Sequence, residues 1–145
     1  MINMKKLISE KGIAAIEFAL VLPVLIMLVF GIIEFSLLLY DKQVITNASR
    51  EGARFGIVLL DPDNPGERRS DGEITSVVNT YCSTYLISFG SPSPPTTSIT
   101  RAGTGFGDDL TVSVAYKYNF LLLPNFVAGL AGGKNLNATT VMKME

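Results

Sequence analysis

Sixteen consecutive residues, Phe18 to Ile33, carry no charge, and a glutamate closes the run at each end, Glu17 before it and Glu34 after it. On a helix rising ~1.5 Å per residue the two carboxylates stand roughly 26 Å apart, close to the ~30 Å of hydrocarbon in a bilayer. The run reads as a membrane span, and its apolar character continues past Glu34 to Tyr40. Placing this segment in lipid limits everything after it. The 85 residues from position 61 onward can build at most one small core.

Before the span, Lys5, Lys6 and Lys11 outweigh Glu10, so this end is expected in the cytoplasm and the carboxyl-terminal part outside. A secretory signal peptide also has a basic start and an apolar core, but its core is typically ~7 to 15 residues long and ends in a small-x-small exit. The longer run here, without that exit, favours an anchor or a leader cut at its own site. Glu17 is the costly residue, since an unpaired carboxylate within a membrane helix costs about 2.5 to 3.5 kcal/mol. A cut between Gly12 and Ile13 would create an ammonium on Ile13, and the ammonium of a neighbouring copy could meet Glu17 in apolar surroundings, where opposite charges attract more strongly than in water.

At these residues the chain resembles the type IV pilin superfamily, whose precursors have a short basic leader ending in Gly and a helix with Glu at the fifth mature position. Gly12, Ile13 and Glu17 take those places. Within the superfamily it is most similar to the TadE-like minor pseudopilins of tight-adherence (Tad/Flp) pilus systems. The likeness rests on Gly12 to Leu20, Pro23, Gly31 to Phe35 and Asn47-Ala-Ser-Arg-Glu-Gly-Ala-Arg54, with a looser echo in Val112 to Tyr118, Pro124 and Ala138 to Glu145. Residues 61 to 108 add nothing to it. The resemblance implies a subunit cut after Gly12 by a prepilin peptidase, with Lys5, Lys6 and Lys11 as the basic leader and Glu17 and Phe18 as assembly residues. It also implies partnership with other pilins or pseudopilins and the Tad secretion platform, and a role in assembly or initiation of an adhesion pilus. The implied place is the bacterial cytoplasmic membrane, single-pass, with the head outside or carried into the pilus.

Inside the span, Pro23 removes a backbone donor and crowds the carbonyl four residues back, so a kink or local melting is expected over Ala19 to Pro23. A hinge for leaving the bilayer and an ordinary packing kink both fit. Gly31 thins the helix for a close neighbour, and Glu34 is expected at the headgroup level, needing no partner. Beyond Tyr40, Val44, Ala48, Phe55 and Leu59 recur at helical spacing, which extends the helix into a stem with one apolar stripe. Ala48 and Gly52, one turn apart, allow close approach of either the chain's own head or another helix. Arg50 and Arg54 form a basic pair at the same spacing.

Leu60 to Gly72 is dense in turn formers and marks a boundary. Its Asp61, Asp63 and Gly66 imitate a calcium loop, but Pro65 and Gly72 stand where ligands are required. The apolar residues 74, 77, 78, 81, 82 and 85 predict a helix from Asp71 or Gly72 to Leu86, with Cys82 on its buried stripe as a structural thiol. Gly90 to Pro95 is a second break. Thr96 to Arg101 is a short candidate strand, and Gly103 to Asp109 suits a hairpin turn better than a nucleotide loop, its third glycine being one place early. Leu110 to Tyr118 alternates as a strand, with 110, 112, 114, 116 and 118 on one face. Phe120 to Gly133 is apolar but broken by Pro124; it is expected to pack on the sheet with part of the patch left for a partner. Leu136 to Met142 is a last strand, with Leu136, Ala138, Thr140 and Met142 together. Both Asn-x-Ser/Thr sequences, at Asn47 and Asn137, are read as chance.

The predicted architecture is α+β: a leader (1–12), a long transmembrane helix with its stem (13–60), and an extracytoplasmic head of one helix and a short antiparallel sheet (61–145). A net charge of −1, with no Lys/Arg cluster outside the leader, gives no nucleic-acid footprint. A single Cys and no His remove an internal disulfide, the commonest metal ligand and the commonest general base. No enzyme, cofactor or metal is expected. Two functions stand: a cleaved pseudopilin in pilus assembly, with Gly31, Glu34, Ala48 and Gly52 as possible helix contacts, or an unprocessed single-span scaffold of an envelope secretion complex.

Overall fold

A computed structural model of the protein describes residues 4–61, 63–64, 67–88, 94–120 and 133–145, with side chains from residue 12 onward. The chain is α+β, as its patterning predicts. A helix α1 (Met4–Ile57) is followed by α2 (Asp71–Tyr85) and three strands, β1 (Thr96–Arg101), β2 (Asp109–Tyr118) and β3 (Lys134–Lys143). The strands form one antiparallel sheet in the order β1-β2-β3.

At ~1.5 Å per residue, α1 is roughly 80 Å long, and it is helical without interruption across Ala19 to Pro23. The local melting expected there is not seen. Almost every residue from Gly12 to Phe30 is exposed, whereas from Glu34 upward one face is covered by the head. That face carries Glu34, Leu38, Asp41, Ile45, Ala48, Gly52 and Gly56, at spacings of three or four that hold one stripe inward on a helix. Ser49 and Ala53 widen it. The expected Val44 and Ala48 are buried, while Phe55 and Leu59 sit only at its margin.

Small residues on the stripe let α2 and the sheet come close. A Cβ on Gly52 would lie 2.6 Å from Val78 Cγ2, and one on Gly56 would lie 2.6 Å from both Ile74 Cδ1 and Leu110 Cδ2. Carbon atoms prefer ~3.5 to 4.0 Å, so this packing is built around glycine.

α2 begins in a capping box, the Glu73 N–H donating to Ser70 Oγ (3.3 Å) and the Ser70 N–H to Glu73 Oε2 (2.9 Å). Ile74, Val78 and Cys82 are its buried line. Tyr85, expected on the same stripe, is 49% exposed. The contact follows the i, i+4 ridge, which winds around the helix, so by the last turn it has moved to Cys82 and Leu86 and left Tyr85 outside.

In β2, Leu110, Val112, Val114, Tyr116 and Tyr118 all point into the core, as their alternation predicts, with Leu136 and Ala138 of β3 beside them. The hairpin joining β1 and β2 turns through Gly107, whose φ of 84° is a left-handed conformation suited to glycine. The Gly105 N–H closes the turn on Asp108 Oδ2 (2.9 Å).

α1 and β3 run in the same direction. Tyr118, opposite Lys134, reaches Glu34; the Lys42 ammonium donates to the Asn137 carbonyl; Ser49 Oγ lies 2.7 Å from Thr140 Oγ1; and the Glu145 N–H donates to the Ile57 carbonyl (3.3 Å). Between the first and last of these levels α1 rises roughly 35 Å and β3 with its tail roughly 37 Å, so the head lies along the helix as a slab of matched height. Leu121 to Gly132, including Pro124 and most of the patch expected to pack on the sheet, lie outside the described residues, as do Pro65, Gly66 and most of the second break.

Candidate assembly and membrane interface

The sequence places one site at the start of the span and the fold adds a second at its end. At the first, Gly12 and Ile13 lie within unbroken helix, and Lys5, Lys6 and Lys11 are on its opening turns. Ile13 (56% exposed), Glu17 and Phe18 (64% exposed) are covered by nothing among the described residues. Glu17 makes no ion pair among the described residues. Residue 13 is one helical turn from Glu17, so positive charge there would lie along the same side of the helix. α1 is long and apolar enough to cross a membrane once.

The second site is where the helix meets the head, and here Glu34 corrects the sequence reading. It is 2% exposed instead of lying free at the headgroup level, and the Tyr118 hydroxyl donates to its Oε1 at 2.6 Å. One heptad higher, Asp41 is fully buried, its Oδ1 accepting the Ile87 N–H at 3.1 Å. Among the described residues its Oδ2 has no hydrogen-bond partner. Burial pushes the Asp41 carboxyl above the ordinary aspartate range, against the lowering effect of the Ile87 N–H. Burial, reinforced by the Glu34 carboxylate, pushes the Tyr118 hydroxyl upward, and burial with the Asp41 charge does the same to Tyr116. Both phenols thus stay protonated, and Tyr118 remains a donor to Glu34.

Two acids seven residues apart in an apolar helix share one face, a spacing that could have marked Glu34 and Asp41 as an inward pair. Tyr118 and Ile87 could not be found that way, because the chain order does not say which strand end reaches which helical turn. Arg68 was missed for the same reason. Its guanidinium donates to the carbonyls of Ile57 (2.7 Å) and Thr104 (3.1 Å) and to the main-chain oxygen of Glu145, gathering the end of α1, the β1–β2 hairpin and the segment after β3.

Of the remaining helix residues singled out by sequence, Ala48 and Gly52 face the chain's own head. A Cβ on Gly31 would meet nothing within 4 Å among the described residues. Cys82 is buried and its thiol is pushed up to about 11 by desolvation, which keeps it a thiol rather than a thiolate at neutral pH. No group of three or more Cys, Asp or Glu side chains that could hold a metal occurs among the described residues.

Residues 12–54 match the model of a family described as TadE-like protein. No curated protein and no solved structure matches the chain. The matched segment opens at Gly12, takes in Glu17, the uncharged run, Glu34 and Asp41, and closes with Arg54 at the end of the Asn47–Arg54 stretch. From Gly12 to Arg54 the chain is similar to the TadE-like family, and its one long apolar helix, which continues directly into the head, fits a single-pass membrane protein.

Proposed function

We propose that this protein is a non-catalytic, pilin-like subunit in the assembly or initiation of a Tad/Flp adhesion pilus. It waits in the cytoplasmic membrane with the basic leader inside and the head outside. A prepilin peptidase cuts after Gly12, freeing the Ile13 ammonium and removing the leader's charges. Glu17 of one subunit then meets the Ile13 ammonium of a neighbouring pilin or pseudopilin, which offsets the cost of carrying a carboxylate into lipid. Phe18 lies against the same neighbour.

One observation carries this reading: the TadE-like segment begins at the residue where a leader would end, and among the described residues nothing of the head covers the turns that follow it, Glu17 included. Ala48 and Gly52 serve the head, so the uncovered lower helix is the part available to other subunits. The uninterrupted helix across Gly12 and Ile13 is equally compatible with an unprocessed scaffold, and a mass distinguishes the two. Protein from native membranes should begin at Ile13; an intact Met1 in cells with an active prepilin peptidase would overturn the pilin reading. Gly12→Ala should block the cut. Glu17→Ala should still insert but fail to support piliation, and normal piliation would remove Glu17 from the mechanism.

A further inference from the structure

The head is charged unevenly along its height. Every charged residue from Glu34 onward is among the described residues, because the stretches outside them from there on carry no charge in sequence. At the end far from the span lie nine carboxylates, from Glu51 to Glu145, among six cationic side chains. Asp71 and Glu73 open α2 there, beside Arg101, and Asp108 and Asp109 sit at the hairpin, beside Lys143.

The end near the span is different. Its acids, Glu34 and Asp41, are buried, and its other charges are Lys42, Lys117 and Lys134. Lys42 is half-buried and used on the Asn137 carbonyl. Lys117 and Lys134 are exposed and make no ion pair among the described residues.

Strand register fixes their height. Lys134 is paired with Tyr118, and Lys117 is its neighbour in β2; Tyr118 bonds to Glu34, the residue at which the uncharged run ends. Both lysines thus stand in the sheet at the level where a spanning helix leaves hydrocarbon and meets phosphate. On the flank of α1 that the described residues of the head do not cover, Phe35, Leu39 and Tyr40 remain exposed at and just above this level, continuous with the apolar span.

We infer that the lower end of the head docks on the membrane itself, with Lys117 and Lys134 seated on anionic lipid phosphates of the leaflet it faces. The inference rests on the single-span reading of α1. Lipid is the occupant because the surface is continuous with a segment already in lipid, and because the exposed charges there are all positive while the acids stand at the far end. A basic side chain held at an anionic surface favours the docked state about five-fold, so two favour it about thirty-fold.

Cys82, the single and buried cysteine, reports opening of the head through its labelling by a thiol reagent. The full chain is placed in lipid nanodiscs of phosphatidylcholine, with or without phosphatidylglycerol. At low salt, phosphatidylglycerol should slow Cys82 labelling about thirty-fold, and the effect should fade as ionic strength rises toward about 0.5 M. Lys117→Gln with Lys134→Gln should erase the difference between the lipids, whereas Lys143→Gln at the far end should leave it intact. Equal labelling in the two lipids overturns the inference, as does an effect insensitive to the double substitution. Reproduction of the slowing by free glycerol phosphate in phosphatidylcholine discs also overturns it, since that marks a small-anion site. A chain that alkaline carbonate extracts from the bilayer refutes the span and the docking together, while one that stays inserted but ignores lipid charge refutes the docking alone.

Discussion

Removing one oxygen, with Tyr118→Phe, should loosen the head from the helix. The hydroxyl is 2.6 Å from Glu34 Oε1, a carboxylate 2% exposed, so water cannot replace the lost donor. A hydrogen bond to a charged group contributes about 1.5 to 3 kcal/mol. The phenyl ring keeps its edge-on contact with Phe120, 5.8 Å between centroids, so packing changes little. For a head of this size, each kcal/mol moves the thermal midpoint about 4 to 8 °C, giving an expected fall of about 6 to 24 °C in nanodiscs, read by circular dichroism or Cys82 labelling. The loss should depend on Glu34. In a Glu34→Leu background, Tyr118→Phe should cost less than about 0.5 kcal/mol, the rest appearing as coupling between the two sites. Because the Tyr118 pKa is raised in the folded state, its contribution is complete below the ordinary phenol value of about 10 and is lost as pH rises beyond it. A Tyr118→Phe head as stable as wild type, or a coupling near zero, would refute the account of this junction.

Two other substitutions test the upper head and the buried acid. Arg68→Ala removes a fork that holds three main-chain oxygens from three segments and should cost about 2 to 3 kcal/mol, measured by urea unfolding; Arg68→Lys should recover less than half, because a point ammonium cannot reach all three. For Asp41, whose carboxyl is raised by burial, stability should be greatest below the unfolded-state aspartate value of about 3.9 and should fall as pH rises through the higher folded value. Asp41→Asn retains an acceptor for the Ile87 N–H and should show no such fall, so its midpoint relative to wild type should climb with pH across that window.

Glu34 shows where the sequence alone stops. Its position in the apolar run dates it to the end of the span, but its surroundings depend on Tyr118, 84 residues later. A residue at headgroup height with open water around it and one sealed beneath a strand have the same local sequence. The same holds for Tyr85, whose place on the helical wheel is inward and whose place in the head is outward, because the packing ridge has turned away from it by the end of α2.

What the amino-acid order determined is everything governed by short-range periodicity. The span-length helix follows from an uncharged run of bilayer length, α2 from its apolar spacing and the Ser70–Glu73 box, and β2 from strict alternation. Only the tertiary structure decided that Glu34 and Asp41 are interior, that Ala48, Gly52 and Gly56 admit the head, and that Lys117 and Lys134 come level with the end of the span. The reason is physical: helix and strand periods act between neighbours in the chain, whereas burial and height are set by which distant segments meet, and they meet where a strand rising ~3.4 Å per residue keeps pace with a helix rising ~1.5 Å.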